Sequence, residues 1–158
     1  DTEVDRRLPT IADGQAVKGK VAVAQARRAY AMFRDAFQGP RWDALAARGA
    51  TVQRPLWAST STKDPTLPDT LYVDQLIGPD TVSTLPEPTI DAFEAHGTVA
   101  RTIDENPEAA AAVLASAADL GVDLADVGHT LEDQGVAAFD RSFADVLARL
   151  QAKVAAHA

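Results

Sequence analysis

The run from Gln53 to Pro65, Gln-Arg-Pro-Leu-Trp-Ala-Ser-Thr-Ser-Thr-Lys-Asp-Pro, changes character halfway, and the rest of the chain has to accommodate that change. Up to Ala58 it is apolar; from Ser59 four hydroxyl residues precede a lysine, and Pro65 forbids a simple continuation. This predicts a buried strand from about Val52 to Ala58 that opens into a polar loop. Hydroxyls and a cation at the C-terminal end of a strand suit an anionic small molecule, because the strand is rigid and the loop donates hydrogen bonds. Ser59, Thr60, Ser61 and Lys63 are therefore candidate phosphate-binding residues. The same residue types also make ordinary solvated turns, and taken alone they leave both accounts open.

The flanking segments alternate helix and strand. Asp1 to Leu8 is charged, ends at Pro9, and reads as a loop. After Asp13-Gly14, the residues Val23, Ala26, Tyr30, Phe33 and Phe37 recur at helical spacing and predict one long helix to about Phe37, stopped by Gly39-Pro40. A short helix over 41–48 precedes the strand. Beyond the polar loop, a helix over 71–77, a strand over 80–85 and a helix opened by Pro86-Glu87-Pro88 and ended by His96-Gly97 follow. Strand, helix, strand, helix in so short a span predicts a parallel βαβ arrangement. Asn106-Pro107 and Asp123 cap two further helices, ending near Leu120 and Gln134. A last helix from Gly135 carries Val136, Phe139, Phe143, Val146 and Leu150 as a stripe that should pack on something.

Composition bounds the partners. A formal charge of −8 argues against general nucleic-acid binding, and no apolar run is long enough to span a bilayer. The chain has no cysteine, which removes disulfide, thiol and zinc-thiolate chemistry and suits a reducing, cytoplasmic setting. Lys18, Lys20, Arg27, Arg28 and Arg34 cluster in one segment and are taken as a solvated helix face. His96, His129 and His157 keep no metal-ligand spacing, and Asp123, Asp126, Glu132 and Asp133 read as a helix start and a solvated face rather than an acid/base pair.

Gln53-Arg-Pro-Leu-Trp-Ala-Ser-Thr, Lys63-Asp-Pro, Pro68-Asp-Thr-Leu-Tyr-Val, Leu76-Ile-Gly-Pro-Asp-Thr-Val and Leu85-Pro-Glu together resemble the C-terminal part of a bacterial-type transaldolase. The blocks follow the family's order at nearly its spacing, and the likeness extends to Asp1-Thr-Glu-Val-Asp and to the helical tail. Asp64 stands where Asn is expected, Ser83 where Asn is common and Leu85 where Met is common. The resemblance implies a TIM (β/α)8 barrel, of which 9–38 would be the helix after strand six, 51–97 the last two βα units, and 98–158 the C-terminal helices. Such a barrel needs roughly 200 residues or more, so this chain of 158 would be a portion of it.

The resemblance also implies transfer of a dihydroxyacetone unit between sugar phosphates through a lysine Schiff base, without metal or cofactor. The nucleophilic lysine and the acid/base carboxylates would lie upstream, so no catalytic residue is assigned in this chain. Ser59 and Lys63 match the family's phosphate-holding serine and cation, with Thr60 and Ser61 as auxiliary donors; a companion arginine is expected two residues before Asp1. Lys63 itself is not taken as the Schiff-base lysine, because the adjacent Asp64 and the hydroxyl-rich loop favour the ammonium form. By this reading the chain alone is inactive, and its partners are sugar phosphates and the remainder of the barrel. The alternative is a non-catalytic half-barrel that binds a sugar phosphate or a partner chain across its uncovered edges. A related aldolase using the same Schiff-base chemistry is a third reading.

Overall fold

The computed structural model describes residues 1–10 and 12–157, which form two units, Asp1–Gly121 and Val122–Ala158. In the first unit the elements are α1 (Thr2–Arg7), α2 (Ala12–Val17), α3 (Val21–Ala36), α4 (Gly39–Ala46), β1 (Leu56–Trp57), α5 (Leu71–Asp74), β2 (Val82–Ser83), α6 (Glu87–His96) and α7 (Pro107–Asp119). The second unit is one helix, α8 (Leu124–Ala155).

The expected parallel pairing is present: β1 lies beside β2 with Leu56 opposite Val82 and Trp57 opposite Ser83. Both strands are shorter than the β-prone runs that contain them. Among the described residues they form a two-stranded sheet, so each has a hydrogen-bonded neighbour on one side only. The architecture is α/β with a parallel strand pair, and these residues do not close a barrel.

Within the segment expected to be a loop, Thr2–Arg7 forms a helix, with Asp1 and Leu8 at its two ends. Glu3 and Asp5 sit in its first turn and Arg6 and Arg7 in its last, which matches the helix dipole. Glu3 also accepts from Arg6 at 2.6 Å and Arg7 at 2.7 Å, pairs spaced three and four residues apart that only a helix brings together. Those two hydrogen bonds hold the Glu3 carboxyl down at about 2.

The single helix expected to run to Phe37 is broken at Lys18-Gly19-Lys20 into α2 and α3. Gly19 adopts φ +70°, and Leu67 Cδ2 would lie 2.7 Å from any Cβ there. Both the backbone and the space demand glycine. α3 then starts under an unusual cap. Asp1, 21 residues earlier, accepts from Ala22 N at 2.8 Å and from the Tyr72 hydroxyl at 2.6 Å.

The apolar stripe of α3 faces a core, as its spacing predicts. Val23, Tyr30, Leu76 and Ile103 are buried together, with Ala26, Phe33, Trp57 and Tyr72 packed against them. Tyr30 donates to Pro79 O at 3.1 Å, and α7 packs along α3. Aromatic contacts continue the stripe from Phe33 to Phe37 and on to Trp42, the last edge-on at 4.7 Å. Ile103 is fully buried because Gly78 leaves room: a Cβ at 78 would sit 2.1 Å from Ile103 Cγ2. The helix after the polar loop is one turn, Leu71–Asp74, rather than a run to Ile77.

Asn106 and Asp123 cap as expected, accepting from Ala109 N at 3.1 Å and from Ala125 N at 2.8 Å. The two helices expected after Asp123 are a single helix of 32 residues, because Gly135 continues the turn instead of ending it. Its apolar stripe does not pack as expected. Phe139 is 80% and Phe143 66% exposed, and Val146 and Leu150 are also exposed. No helix among the described residues is long and apolar enough to cross a membrane.

Gly78→Ala forces a methyl into Ile103 and should destabilise the protein by about 1–3 kcal/mol. Gly128→Ala, inside α8 with nothing within 4 Å of the new Cβ, should stabilise by about 0.5–1 kcal/mol. Urea unfolding of both variants checks the contrast; equal midpoints would contradict the account of Ile103 packing.

Candidate functional site

The loop leaving β1 is tied back across the strand pair before it reaches its charged residues. Thr84 N donates to Trp57 O at 2.9 Å, and the Thr60 hydroxyl donates to Thr84 O at 2.9 Å. Thr60 is only 2% exposed, so this bond satisfies a buried group. Between the two anchors Ser59 takes φ +56°, the left-handed region that is uncommon for a residue with a Cβ. A conformation of that kind persists only where its surroundings hold it, here by the strand on one side and Thr60 on the other.

All four sequence-predicted site residues, Ser59, Thr60, Ser61 and Lys63, line one open cavity of about 630 Å³. That volume lies within the usual range for small-molecule sites. The structure gives them different tasks. Lys63 is exposed and donates to Ser61 Oγ at 2.7 Å, whereas the hydroxyl proton of Thr60 is committed to Thr84 O. Ser59 is exposed at the turn.

Sequence spacing missed the other side of the cavity, which is lined by Asp1, Asp5, Arg6 and Lys18 and by Tyr72. Asp64 does not pair with its neighbour Lys63. Its Oδ2 meets Lys18 Nζ at 2.8 Å, and its Oδ1 accepts from Thr66 N at 2.9 Å and Thr66 Oγ1 at 2.7 Å. The Lys18 ammonium, followed by Thr66, holds the Asp64 carboxyl well below the usual carboxylate range. The same pair pushes Lys18 up. Burial, the largest cause, pushes the Tyr72 hydroxyl up as it donates to Asp1.

The expectation of a solvated basic face on α3 therefore needs correction. Lys18 pairs with Asp64, Arg27 donates to Gln75 Oε1 at 3.0 Å and to Glu105 O at 3.2 Å, and Arg34 meets Asp104 at 3.5 Å. Lys20 and Arg28 are exposed, as expected. The partners lie 46 to 78 residues away along the chain, out of reach of any local pattern. Outside the cavity His96 Nε2 lies 2.9 Å from Asp69 Oδ1 and lowers that carboxyl; His129 and His157 are exposed. Asp123, Asp126, Glu132 and Asp133 are exposed on α8 or at its start, as their pattern suggests.

Three cations line the cavity, and two of them are matched: Arg6 by Glu3 and Lys18 by Asp64. Among the described residues, Lys63 is the lining cation without a carboxylate partner. An ammonium flanked by hydroxyls and free of a counter-charge can receive an anion's oxygens.

A parallel strand pair with a polar loop beyond the carboxyl end of β1 is an α/β arrangement, and in α/β proteins that end of the sheet is where small ligands are commonly met. The comparison with known proteins is more specific. The model of the transaldolase/fructose-6-phosphate aldolase family matches residues 1–150, and the chain belongs to that family. It is 50% identical over 160 residues to a transaldolase of Thermobifida fusca (strain YX), covering 99% of this chain and 44% of that protein. It is 54% identical over 150 residues to one of Parafrankia sp. (strain EAN1pec), covering 93% and 41%. A third, from Frankia alni, is 53% identical over 150 residues, covering 93% and 40%. The chain thus spans less than half the length of these relatives.

Thr60→Val removes the anchor at Thr84 and should cost about 1–2 kcal/mol in a urea melt; no change would mean the loop is held elsewhere. The Asp64 carboxyl is depressed in the folded protein, so its pair with Lys18 adds stability above the unfolded value near pH 4 and loses it as pH falls below that. Asp64→Asn should accordingly lower the melting temperature at pH 7, with the difference from the parent shrinking as pH falls below about 4.

Proposed function

We propose that this chain is the C-terminal part of a (β/α)8-barrel transaldolase and holds the phosphate end of its sugar-phosphate substrate. In this reading 9–38 contributes the helix after strand six, 51–97 the last two βα units and 98–158 the closing helices. Identity near 50% to proteins named transaldolase, over nearly the whole chain, supports the activity. The observation that carries the site is the unmatched Lys63 ammonium among Ser59, Ser61 and the anchored Thr60, in one cavity at the carboxyl end of β1.

The reaction moves a dihydroxyacetone unit from a ketose phosphate such as sedoheptulose 7-phosphate or fructose 6-phosphate to an aldose phosphate. An iminium on a lysine serves as electron sink for the carbon-carbon cleavage, and carboxylates move the protons. Those groups lie outside this chain. Its own residues supply binding: Ser59 and Ser61 donate to phosphate oxygens, Lys63 neutralises charge, and Thr60 keeps the loop in place. Holding the remote phosphate orients the reacting carbons, which is binding energy used for positioning. The absence of cysteine supports a cytoplasmic setting.

Removing one charge-assisted contact costs about 1.5–3 kcal/mol, or about 10–100-fold in affinity. In the polypeptide that carries this chain with the preceding barrel strands, Lys63→Met should raise KM for fructose 6-phosphate by at least about tenfold, with a smaller change in kcat. The 158-residue chain alone should not turn over fructose 6-phosphate with erythrose 4-phosphate. An unchanged KM in the variant, or turnover by the isolated chain, would overturn the assignment.

A further inference from the structure

The loop that offers Lys63 to an anion also carries a carboxylate. Asp64 follows Lys63 directly and lines the same cavity, and a bare negative charge there opposes an anionic ligand. Lys18, on the turn between α2 and α3, meets that carboxylate at 2.8 Å; the two side chains are 36% and 28% exposed. The contact is more than one ion pair. Gly19, next to Lys18, lies against Leu67 so closely that a Cβ would stand 2.7 Å from Leu67 Cδ2. Leu67 N in turn donates to Asp64 O at 3.1 Å. The 18–20 turn therefore seats against the 64–67 segment through an apolar contact at Gly19 and a charged one at Lys18. Thr66 holds the other carboxylate oxygen.

Resting on the phosphate-site reading above, we infer that Lys18 is a positioning residue of the anion site: it cancels the charge of Asp64, leaving Lys63 to the ligand. The remaining charges around the cavity are engaged elsewhere. Asp1 and Asp5 accept from Ala22 N and Gly19 N, and Arg6 pairs with Glu3. The Asp64 carboxyl lies well below its ordinary range and Lys18 is raised, so the pair is fully charged at neutral pH. Lys18 acts through Asp64 and needs no contact with the ligand.

Inorganic phosphate, as a competitive inhibitor of the full-length polypeptide, is the probe. Lys18→Met should weaken phosphate about tenfold, Lys18→Arg should preserve it, and Asp64→Asn alone should leave it equal or tighter. The decisive variant is Lys18→Met with Asp64→Asn, which should return to within about twofold of the parent; urea midpoints of all variants, taken alongside, separate a change in phosphate binding from a change in folding. Lys63→Met serves as the control for the site itself. Should it leave phosphate binding unchanged, the phosphate reading fails and this inference with it. If Lys63→Met weakens binding but Lys18→Met has no effect, Lys18 has no positioning role. If Lys18→Met weakens binding equally with and without Asp64→Asn, Lys18 is a direct ligand and the inference is wrong.

Discussion

The parallel pairing of β1 with β2 is the contact on which the site depends. Val82 N donates to Pro55 O and Thr84 N to Trp57 O, both at 2.9 Å, and Thr60 extends the same seam by one side-chain bond. The seam sits over the core, because Trp57 packs against Val23, Tyr30, Leu76 and Ile103. A rigid strand end is what allows a short loop to hold Ser59 in a left-handed conformation and aim Lys63 outward. The helix that floors this core, α3, begins next to the turn that delivers Lys18. One hydrophobic cluster therefore sets the positions of both lysines.

Much of this was legible in the residues themselves. The spacing of Val23, Ala26, Tyr30 and Phe33 identified the buried face of α3, and the hydroxyl run after Ala58 located the loop that lines the cavity. Capping chemistry was equally local: Asn106 and Asp123 do what their types predict. Three of the failures share a cause. The break at Gly19 follows from Leu67, the cap on α3 from Asp1, and the partner of Asp64 from Lys18, all of them contacts between residues far apart in sequence. Helix α1 is different: its Glu3 to Arg6 and Arg7 spacing is a local signal, and its dense charge belongs to ion pairs along a helix rather than to a loop.

Periodicity shows that a face is apolar without showing what meets it. The α8 stripe through Phe139, Phe143, Val146 and Leu150 keeps the helical repeat that buried the face of α3, yet these residues are exposed among those described. The repeat also ran straight through Gly135. Helix propensity charges a glycine only about 1 kcal/mol, less than the continuity of a long helix returns, so a glycine without a left-handed conformation is a weak stop. Gly121, at φ +86°, does end its helix.

An acidic chain can hold an anion only if its charges are sorted by place. With a formal charge of −8 the molecule as a whole repels phosphate, but salt screens distant charges beyond about 8–10 Å, so the near neighbours decide. Around this cavity three acids face three bases: Asp1, Asp5 and Asp64 against Arg6, Lys18 and Lys63. A balanced count would leave no attraction if all six were free. They are not free. Asp1 accepts from Ala22 N and Asp5 from Gly19 N, Arg6 pairs with Glu3, and Lys18 pairs with Asp64, which leaves Lys63 as the lining cation without a carboxylate partner among the described residues. Overall charge therefore argues against nucleic acid as a partner without deciding against a single phosphate ester at a cavity where one cation stays unpaired.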